Sequence, residues 1–400
     1  MQSGFLKIAG AAAIAAGLFA APIGFATTAQ AQKTGVVKIG VNESLSGTMI
    51  AVGLPPAAAI RLATKEINDA GGFTVGDTTY KIQLVEVDNQ STTANAVATT
   101  IKLVEDEKVK FIFGPTLSTL AIQSLQVTVP NDVLQISAAS LWQSTGNLSN
   151  PKQPLLFGTQ MPVTQIADID MKALAEVGVK KVAFMSLDDD TTKSNIPSFT
   201  EAAKKAGIEV VLILFPQGTT DYSSYVSRAK GEKVDGIYFL YPHIVVPELL
   251  RYVVDLGLNP KAFGGRSLDA NAAIKGAIGK PIPFPFFATG STPFFQNPTE
   301  GRVKQFVDKL TAFDPKVAGA NANFAFFTYD FVPMLVKAMQ QAGTVTDTQK
   351  VANVLYTMKM EGVLGTICFG KEVRTATFDG SLLIVRDGKI EMKSFPNVCN

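Results

Sequence analysis

A single histidine, His243, stands among 400 residues, so any Ser-His-Asp arrangement would have to be built on it. It follows Pro242 just past a predicted strand and reads as a cleft or surface residue rather than a catalytic base. No phosphate loop of the G-x-x-x-x-G-K-[ST] type occurs, and no G-x-G-x-x-G follows the first strand. H-E-x-x-H, C-x-x-C and G-x-S-x-G are also absent. With no catalytic pair in view, neither an enzyme, nor a cofactor, nor a bound metal ion is expected. Asp188, Asp189 and Asp190 are consecutive, and three such carboxylates on one loop cannot all face one ion, so they read as solvated. Only two cysteines are present, Cys368 and Cys399; in an oxidising compartment they could pair, and the sequence leaves that open. The net charge of +2, from 36 basic and 34 acidic residues, lacks the concentrated basic footprint of a nucleic-acid binder.

Charge is scarcest in residues 1–31, where Lys7 stands alone before an Ala-rich apolar run from Ile8 to Ala21. Ala29-Gln30-Ala31 matches a small-residue cleavage site, so this stretch reads as a signal peptide with cleavage near Ala31/Gln32. The run is broken by Pro22 and Gly24 and is too short for a membrane span. No Cys lies near the cleavage site, and no later segment is apolar enough to span a bilayer. The sequons at Asn42-Glu43-Ser44 and Asn147-Leu148-Ser149 are frequent chance matches.

What the chain has in abundance is hydrophobic residues, 46% against 18% charged, enough for a sizeable core, and its length favours two domains. Strand-like and helix-like segments alternate. Val36–Leu45 reads as a strand with a polar turn after it, and Pro55 and Pro56 open a helix that ends at Gly71-Gly72. Tyr80–Val87 is a second strand, with Ser91 or Thr92 as the next helix cap. Strands at Lys110–Phe113 and Val133–Ser137 flank a helix over Leu120–Val127. A second series runs through strands at Lys181–Leu187, Ile208–Phe215 and Gly236–Leu240, with helices at Phe199–Ala206, Tyr222–Lys230 and Pro247–Leu256. A strand near Phe286–Thr289, helices at Glu300–Ala312 and Tyr329–Ala342, and short strands after Gly365 close the chain. Such alternation implies parallel sheets with right-handed crossovers, in two interleaved lobes with several crossings that serve as hinges.

The unbroken run Phe111-Ile112-Phe113, stopped by Gly114-Pro115, suits a strand buried on both faces. Thr116, Ser118 and Thr119 then place hydroxyls and N–H groups at its carboxyl end, the edge where open α/β sheets bind ligands. Trp142, the one tryptophan, lies past the next strand; it is either a packed aromatic or an apolar wall for a ligand.

The sequence resembles the periplasmic branched-chain (Leu/Ile/Val-type) amino-acid-binding proteins of bacterial ABC importers, of the type I solute-binding family. The marks are VKIGVNESLSG at Val37–Gly47, EINDAGG at Glu66–Gly72, DNQS at Asp88–Ser91 and FIFGPTLST at Phe111–Thr119. ISAAS at Ile136–Ser140, TTDYSSYV at Thr219–Val226 and YDFVPMLVKAMQQAG at Tyr329–Gly343 extend the likeness over the mature chain. The resemblance implies an α/β two-lobed clamshell, each lobe a mainly parallel sheet flanked by helices. On this reading lobe 1 spans 32–155 plus about 286–364, and lobe 2 about 156–285 plus 365–400. It further implies a periplasmic monomer that hands a small-molecule ligand to an inner-membrane permease. A ligand-sensing module regulating a receptor or kinase would share the fold.

The residues expected at the ligand from the first lobe are Ser46, Ser118, Thr119, Ala139, Ser140 and Trp142. Tyr241, His243 and Arg266 follow from the second. Family members hold the ligand's charged groups with the turns that fall at Ser118–Thr119 and Ala139–Leu141. Three positions depart. Leu141 stands where a threonine is usual, and Thr191 near the place of a tyrosine. Arg266 falls where an acidic residue takes the ligand ammonium, unless a small gap brings Asp269 there. A cation cannot pair with an ammonium. With Arg266 at the ligand, a small carboxylate such as an aromatic acid, a keto acid or a dicarboxylate is expected; with Asp269 there, a hydrophobic amino acid.

Overall fold

The computed structural model describes residues 33–139, 155–161, 163–216, 218–240, 242–266, 284–290, 301–317, 323–370, 373–378, 380–386 and 389–395. The first described element is β1 (Lys33–Glu43), whose first half is largely exposed, with Val37 its one buried residue, and whose last five residues are buried throughout. β1 pairs in parallel along its whole length with β3 (Thr78–Asp88), which follows α1 (Ile50–Asp69) and the short edge strand β2 (Phe73–Val75). α2 (Thr93–Ile101) is capped by the Thr92 side chain, which accepts from the Asn95 N–H. A wider, π-helical continuation over Lys102–Asp106 leads to β4 (Phe111–Phe113), buried on both faces as the apolar run requires. α3 (Ser118–Thr128), β5 (Leu134–Ser137) and β6 (Leu156–Gly158) complete the first parallel series.

The second series comprises α4 (Val163–Glu176), β7 (Lys181–Leu187), α5 (Asp190–Lys205), β8 (Glu209–Phe215), α6 (Ser223–Gly231) and β9 (Gly236–Phe239). It continues with α7 (Pro242–Asp255), β10 (Ala262–Arg266) and β11 (Phe286–Gly290). The remainder is α8 (Gly301–Phe313), α9 (Asn323–Tyr329), α10 (Phe331–Ala342) and α11 (Thr348–Thr357), then β12 (Met360–Gly362), β13 (Gly365–Gly370), β14 (Val373–Thr377), β15 (Gly380–Arg386) and β16 (Lys389–Phe395). The first sheet runs β12-β13-β14-β6-β5-β4-β1-β3-β2 and the second β16-β15-β11-β10-β9-β7-β8. Both are mainly parallel and flanked by helices.

Sheet membership departs from the sequence division at three points. β6 lies in the first sheet, paired with β5 at Ile136↔Phe157, because its three residues are apolar and buried on both faces. β11, expected to open the return to the first lobe, pairs with β10 in parallel and with β15 in the second sheet. β13 and β14, expected in the second lobe, extend the first sheet through Thr375↔Gly158. The chain therefore changes sheets after β6, after β11 and after β14.

Several helices start earlier than the sequence suggests. The first turn of α1 closes ahead of Pro55 and Pro56, with the Val52 and Gly53 N–H groups both bonded to Met49 O (2.9 and 3.2 Å). α5 begins at Asp190 because Asp189 caps it, accepting from the Thr192 N–H at 2.6 Å. Asp188 pairs instead with Lys193 at 2.7 Å, so the two carboxylates have structural partners. α7 begins at Pro242, which puts His243 inside its first turn. The helix expected over Tyr329–Ala342 is α10, which starts two residues later at Phe331; ahead of it stands Asp330, a buried carboxylate that accepts from the Val363 N–H at 2.7 Å. Cys368 is disulfide-bonded; the chain's other cysteine, Cys399, lies outside the described residues. Aromatic side chains fill the interior: Phe157 meets Phe369 edge-on at 5.1 Å below the first sheet, and Phe239 meets Phe263 at 5.0 Å in the second. Among the described residues no helix is long and apolar enough to cross a membrane.

Candidate functional site

In the first sheet β3 lies on one side of β1 and β4 on the other. The connections therefore leave β1 and β4 in opposite directions, and a crevice opens outside the carboxyl ends of these two strands. Glu43 ends β1 there, and Gly114-Pro115-Thr116 leaves β4 beside it.

The turn from Gly114 to Thr116 is held from every side. The Gly114 N–H donates to Ile136 O at 2.8 Å, and the Gly114 carbonyl accepts from Gln135 Nε2 at 2.9 Å. The Pro115 carbonyl accepts from the Ser137 hydroxyl at 2.6 Å. Thr116 gives both its donors to Glu43: the N–H to Oε2 at 3.1 Å and the hydroxyl to Oε1 at 2.8 Å. The Gly114–Pro115 peptide is cis. Gly114 has φ +86°, and a Cβ there would come within 2.6 Å of Glu43 Oε1. Gly114→Ala should therefore cost about 1–3 kcal/mol from strain at the left-handed position. Urea unfolding of the variant checks this; an unchanged midpoint would mean the turn relaxes freely.

With Gly114–Thr116 so anchored, α3 starts at once. Leu117 is its N-cap residue, with no side-chain cap bond, and the first intrahelical bond runs from the Ala121 N–H to Leu117 O (2.9 Å). The N–H groups of Ser118, Thr119 and Leu120 precede any intrahelical acceptor and carry the positive end of the helix dipole. Ser118 is half-buried and Thr119 exposed. Ala139 is buried beyond the end of β5, and its N–H donates to the Ser137 hydroxyl at 3.0 Å.

On the other flank a buried polar network ties β1 to β3. Asn89 donates to Asn42 Oδ1 at 3.1 Å, and Asn42 donates to Thr100 Oγ1 at 2.9 Å. Asn42 is fully buried, which leaves no room for a glycan. Asp88 accepts from the N–H groups of Leu45 (3.0 Å), Ser46 (3.2 Å) and Gln90 (2.8 Å), and from the Ser46 hydroxyl at 2.5 Å. Burial alone would raise the Asp88 pKa; these four donors outweigh it and hold the carboxyl below its usual range. The Ser46 hydroxyl thus already donates to Asp88 and can offer a ligand only its lone pairs.

Glu43 itself is 1% exposed. Burial pushes its carboxyl up to about 8, against the opposing donors from Thr116 and the Ser44 N–H.

In the second sheet β8 and β9 flank β7, so a matching crevice lies outside the carboxyl ends of β7 and β9. His243 falls just past β9. Arg266 ends β10, in register with Thr289 and one residue past Gly265, which pairs with Phe239. Both therefore stand at this sheet's carboxyl edge by backbone position.

Of the sequence-predicted residues, Ser46, Ser118, Thr119 and Ala139 gather at the carboxyl edge of the first sheet. His243 and Arg266 share the edge of the second. Ser140, Trp142 and Tyr241 lie outside the described residues, as does Asp269. Sequence reasoning missed Glu43, Thr116 as its partner, and Gln135. The one available signal was an acid ending an otherwise apolar strand. Among the described residues, no cluster of His, Cys, Asp and Glu is placed to hold a metal ion.

The model of the periplasmic binding protein family matches residues 36–389. The Leu/Ile/Val-binding protein BraC3 of Rhizobium johnstonii is 28% identical over 373 residues, 92% of this chain and 96% of its own. The isoleucine complex of the branched-chain amino acid transporter substrate-binding protein LivJ from Streptococcus pneumoniae superposes with a TM-score of 0.70 at 23% identity, covering 91% of this chain and 99% of its own. A solute-binding protein of an R. palustris ABC transporter, in complex with benzoate, gives the same TM-score at 18% identity, covering 92% and 98%.

Proposed function

Since the chain belongs to the periplasmic binding protein family, we propose that it traps a small carboxylate between its two sheets and hands it to an ABC importer. It is a substrate-binding protein of the Leu/Ile/Val-binding type and not an enzyme. The observation that carries the ligand reading is the turn Gly114–Thr116. Held by Glu43, Gln135 and Ser137, this turn sets the start of α3 at the strand-order reversal, where the helix dipole favours an anion.

In this reading the two sheets are the two lobes, and the chain's changes of sheet after β6, β11 and β14 are the hinge. The ligand carboxylate meets Ser118 and Thr119 from the first lobe, with Ser46, Ala139, Ser140 and Trp142 around it. Tyr241, His243 and Arg266 reach it from the second on closure, and closure excludes water and strengthens each hydrogen bond. Residues 1–31 direct export, the partner is an inner-membrane permease, and the protein acts as a monomer. Isoleucine and benzoate, held by the two solved structures of the same fold, share a carboxylate and differ in the ammonium. Arg266 at the second edge favours the acid without an ammonium.

A thermal-shift screen of the mature chain tests this. A ligand at a hundred times its dissociation constant stabilises by ~2.7 kcal/mol. Benzoate, 4-hydroxybenzoate or an aliphatic keto acid should raise the melting temperature more than leucine or valine does. A strong shift with leucine and none with the amine-free acids would overturn the choice of ligand class.

A further inference from the structure

We propose that Glu43 is a positioning residue of the anion seat, and that binding of a carboxylate at the start of α3 is coupled to a proton on the Glu43 side chain. The inference rests on the carboxylate reading above and adds to it a proton and the residue that holds it.

The geometry is specific. Glu43 ends β1 at the point where the strand order of the first sheet reverses, and it is almost wholly buried. Both its carboxyl oxygens are taken by Thr116, two residues ahead of Ser118 and 73 residues away in sequence from Glu43. Any change at the carboxyl therefore reaches the seat through one residue of rigid turn. That turn cannot drift, because Gln135 and Ser137 hold its other carbonyls.

Little else near Glu43 can balance a charge. β1 presents Asn42, Ser44 follows its end, and α1 brings Gly53 against Ser44. The end of β3 presents Asn89, whose N–H donates to Glu43 O at 3.1 Å, and Asp88. The turn after β4 presents Gly114 and Thr116, and β5 presents Gln135 through Gly114. Asp88 is the one other ionisable group among these. Its carboxylate is saturated by Leu45, Ser46 and Gln90, and its sign is the same as that of an ionised Glu43.

The thermodynamics follows. Burial disfavours the carboxylate form of Glu43, so the acid holds its proton through neutral pH, with a midpoint near 8. A second anion arriving at α3 disfavours that charge further. By linkage, whatever the anion does to the Glu43 proton, the proton does to the anion. Binding above the midpoint must therefore take up a proton or work against a buried like charge. The neutral acid also has an O–H to offer the Thr116 hydroxyl, which the carboxylate lacks. The two states thus hold the turn with different hydrogen bonds.

The test has a ligand-free arm and a ligand arm. In ¹H–¹⁵N spectra of the ligand-free chain, the Thr116 and Ser118 amides should titrate together with a midpoint near 8. Glu43→Gln should abolish that titration. Thr116→Val removes a donor that favours the charged form, so it should move the midpoint upward; this second variant covers the case in which Glu43→Gln fails to fold. In the ligand arm, benzoate and leucine are titrated calorimetrically at pH 6.5 and pH 9.5. The one that binds should bind about tenfold more weakly at the higher pH, inside the limit of roughly thirtyfold that proton uptake 1.5 pH units above a midpoint of about 8 allows. The loss should be absent in Glu43→Gln. Amides that do not titrate, or an equal loss of affinity in Glu43→Gln, would overturn the proposal. If the amides titrate but neither carboxylate binds at either pH, the carboxylate reading fails and takes the coupling with it, while the link between Glu43 and the turn stands.

Discussion

Raising the pH from 4 to 9 should remove roughly 4–5 kcal/mol of folding stability through Glu43 alone, at about 1.4 kcal/mol per unit of pKa displacement. The sign follows from the proton balance. In the unfolded chain the carboxyl ionises near its ordinary value of 4.5; in the fold it holds its proton up to about 8. Between these values the unfolded state releases a proton that the folded state keeps. The stabilising contribution is complete below about 4.5 and is lost as the pH rises through 8. Asp330 acts in the same direction over a lower window. Burial raises its carboxyl to about 6 against the Val363 N–H, so its share is lost between about 4 and 6. Asp330 is common to wild type and Glu43→Gln, so the difference between them isolates Glu43. Urea unfolding of the two across pH 5 to 9 should give curves that diverge steadily up to about pH 8 and then run parallel, with the variant the more stable at pH 9. Curves parallel throughout would show that Glu43 ionises freely and is not the buried acid described.

Arg266→Ala should weaken binding of the acid ligand by roughly 2–5 kcal/mol, the range for removing one partner of a desolvated charge pair, or about thirty-fold and more in affinity. The backbone fixes where this residue stands. β10 lies so close to β9 that a Cβ on Gly265 would come within 2.8 Å of the Phe239 ring, and the next residue is Arg266 at the strand end. Arg266→Lys should recover only part of the loss, because an ammonium cannot reproduce the two-pronged contact of a guanidinium with a carboxylate. Calorimetric titration with the best acid from the screen measures both. An affinity unchanged in Arg266→Ala would remove this residue from the site and return the role to its neighbourhood.

Much of the first sheet was readable in the sequence because its signals are local. An apolar run such as Phe111–Phe113 with Gly-Pro after it has few other uses, and Thr92 caps α2 as its residue type suggests. Gly257 and Gly343 follow helices in the left-handed conformation their position requires. Local rules failed where tertiary contacts decided. Proline marks a first turn on average, yet α1 and α5 each begin well ahead of theirs. The helix between Asn323 and Tyr329 went unread, and the one expected from Tyr329 starts at Phe331, behind Asp330, whose carboxylate accepts from the Val363 N–H of a distant hairpin. The sheet of β11 and of β13–β14 depends on pairing partners far along the chain, which no short pattern encodes.

The site divides in the same way. Ser118 and Thr119 were legible as hydroxyl residues past a strand end. Glu43 was not, because a lone acid at the end of a strand reads as part of a polar turn. Only its pairing with Thr116 across 73 residues turns it into a buried group beneath the turn that starts α3. Ser46 illustrates the converse: its type suits a ligand contact, but Asp88 already takes its proton.

The account is tested most directly by a crystal structure of the mature chain grown with the carboxylate that shifts the melt most. A carboxylate oxygen should lie about 2.7–3.2 Å from the first N–H groups of α3, with the Arg266 guanidinium on the same ligand from the opposite sheet edge. A ligand whose carboxylate sits away from Ser118 and Thr119, with the start of α3 facing only water, would contradict it.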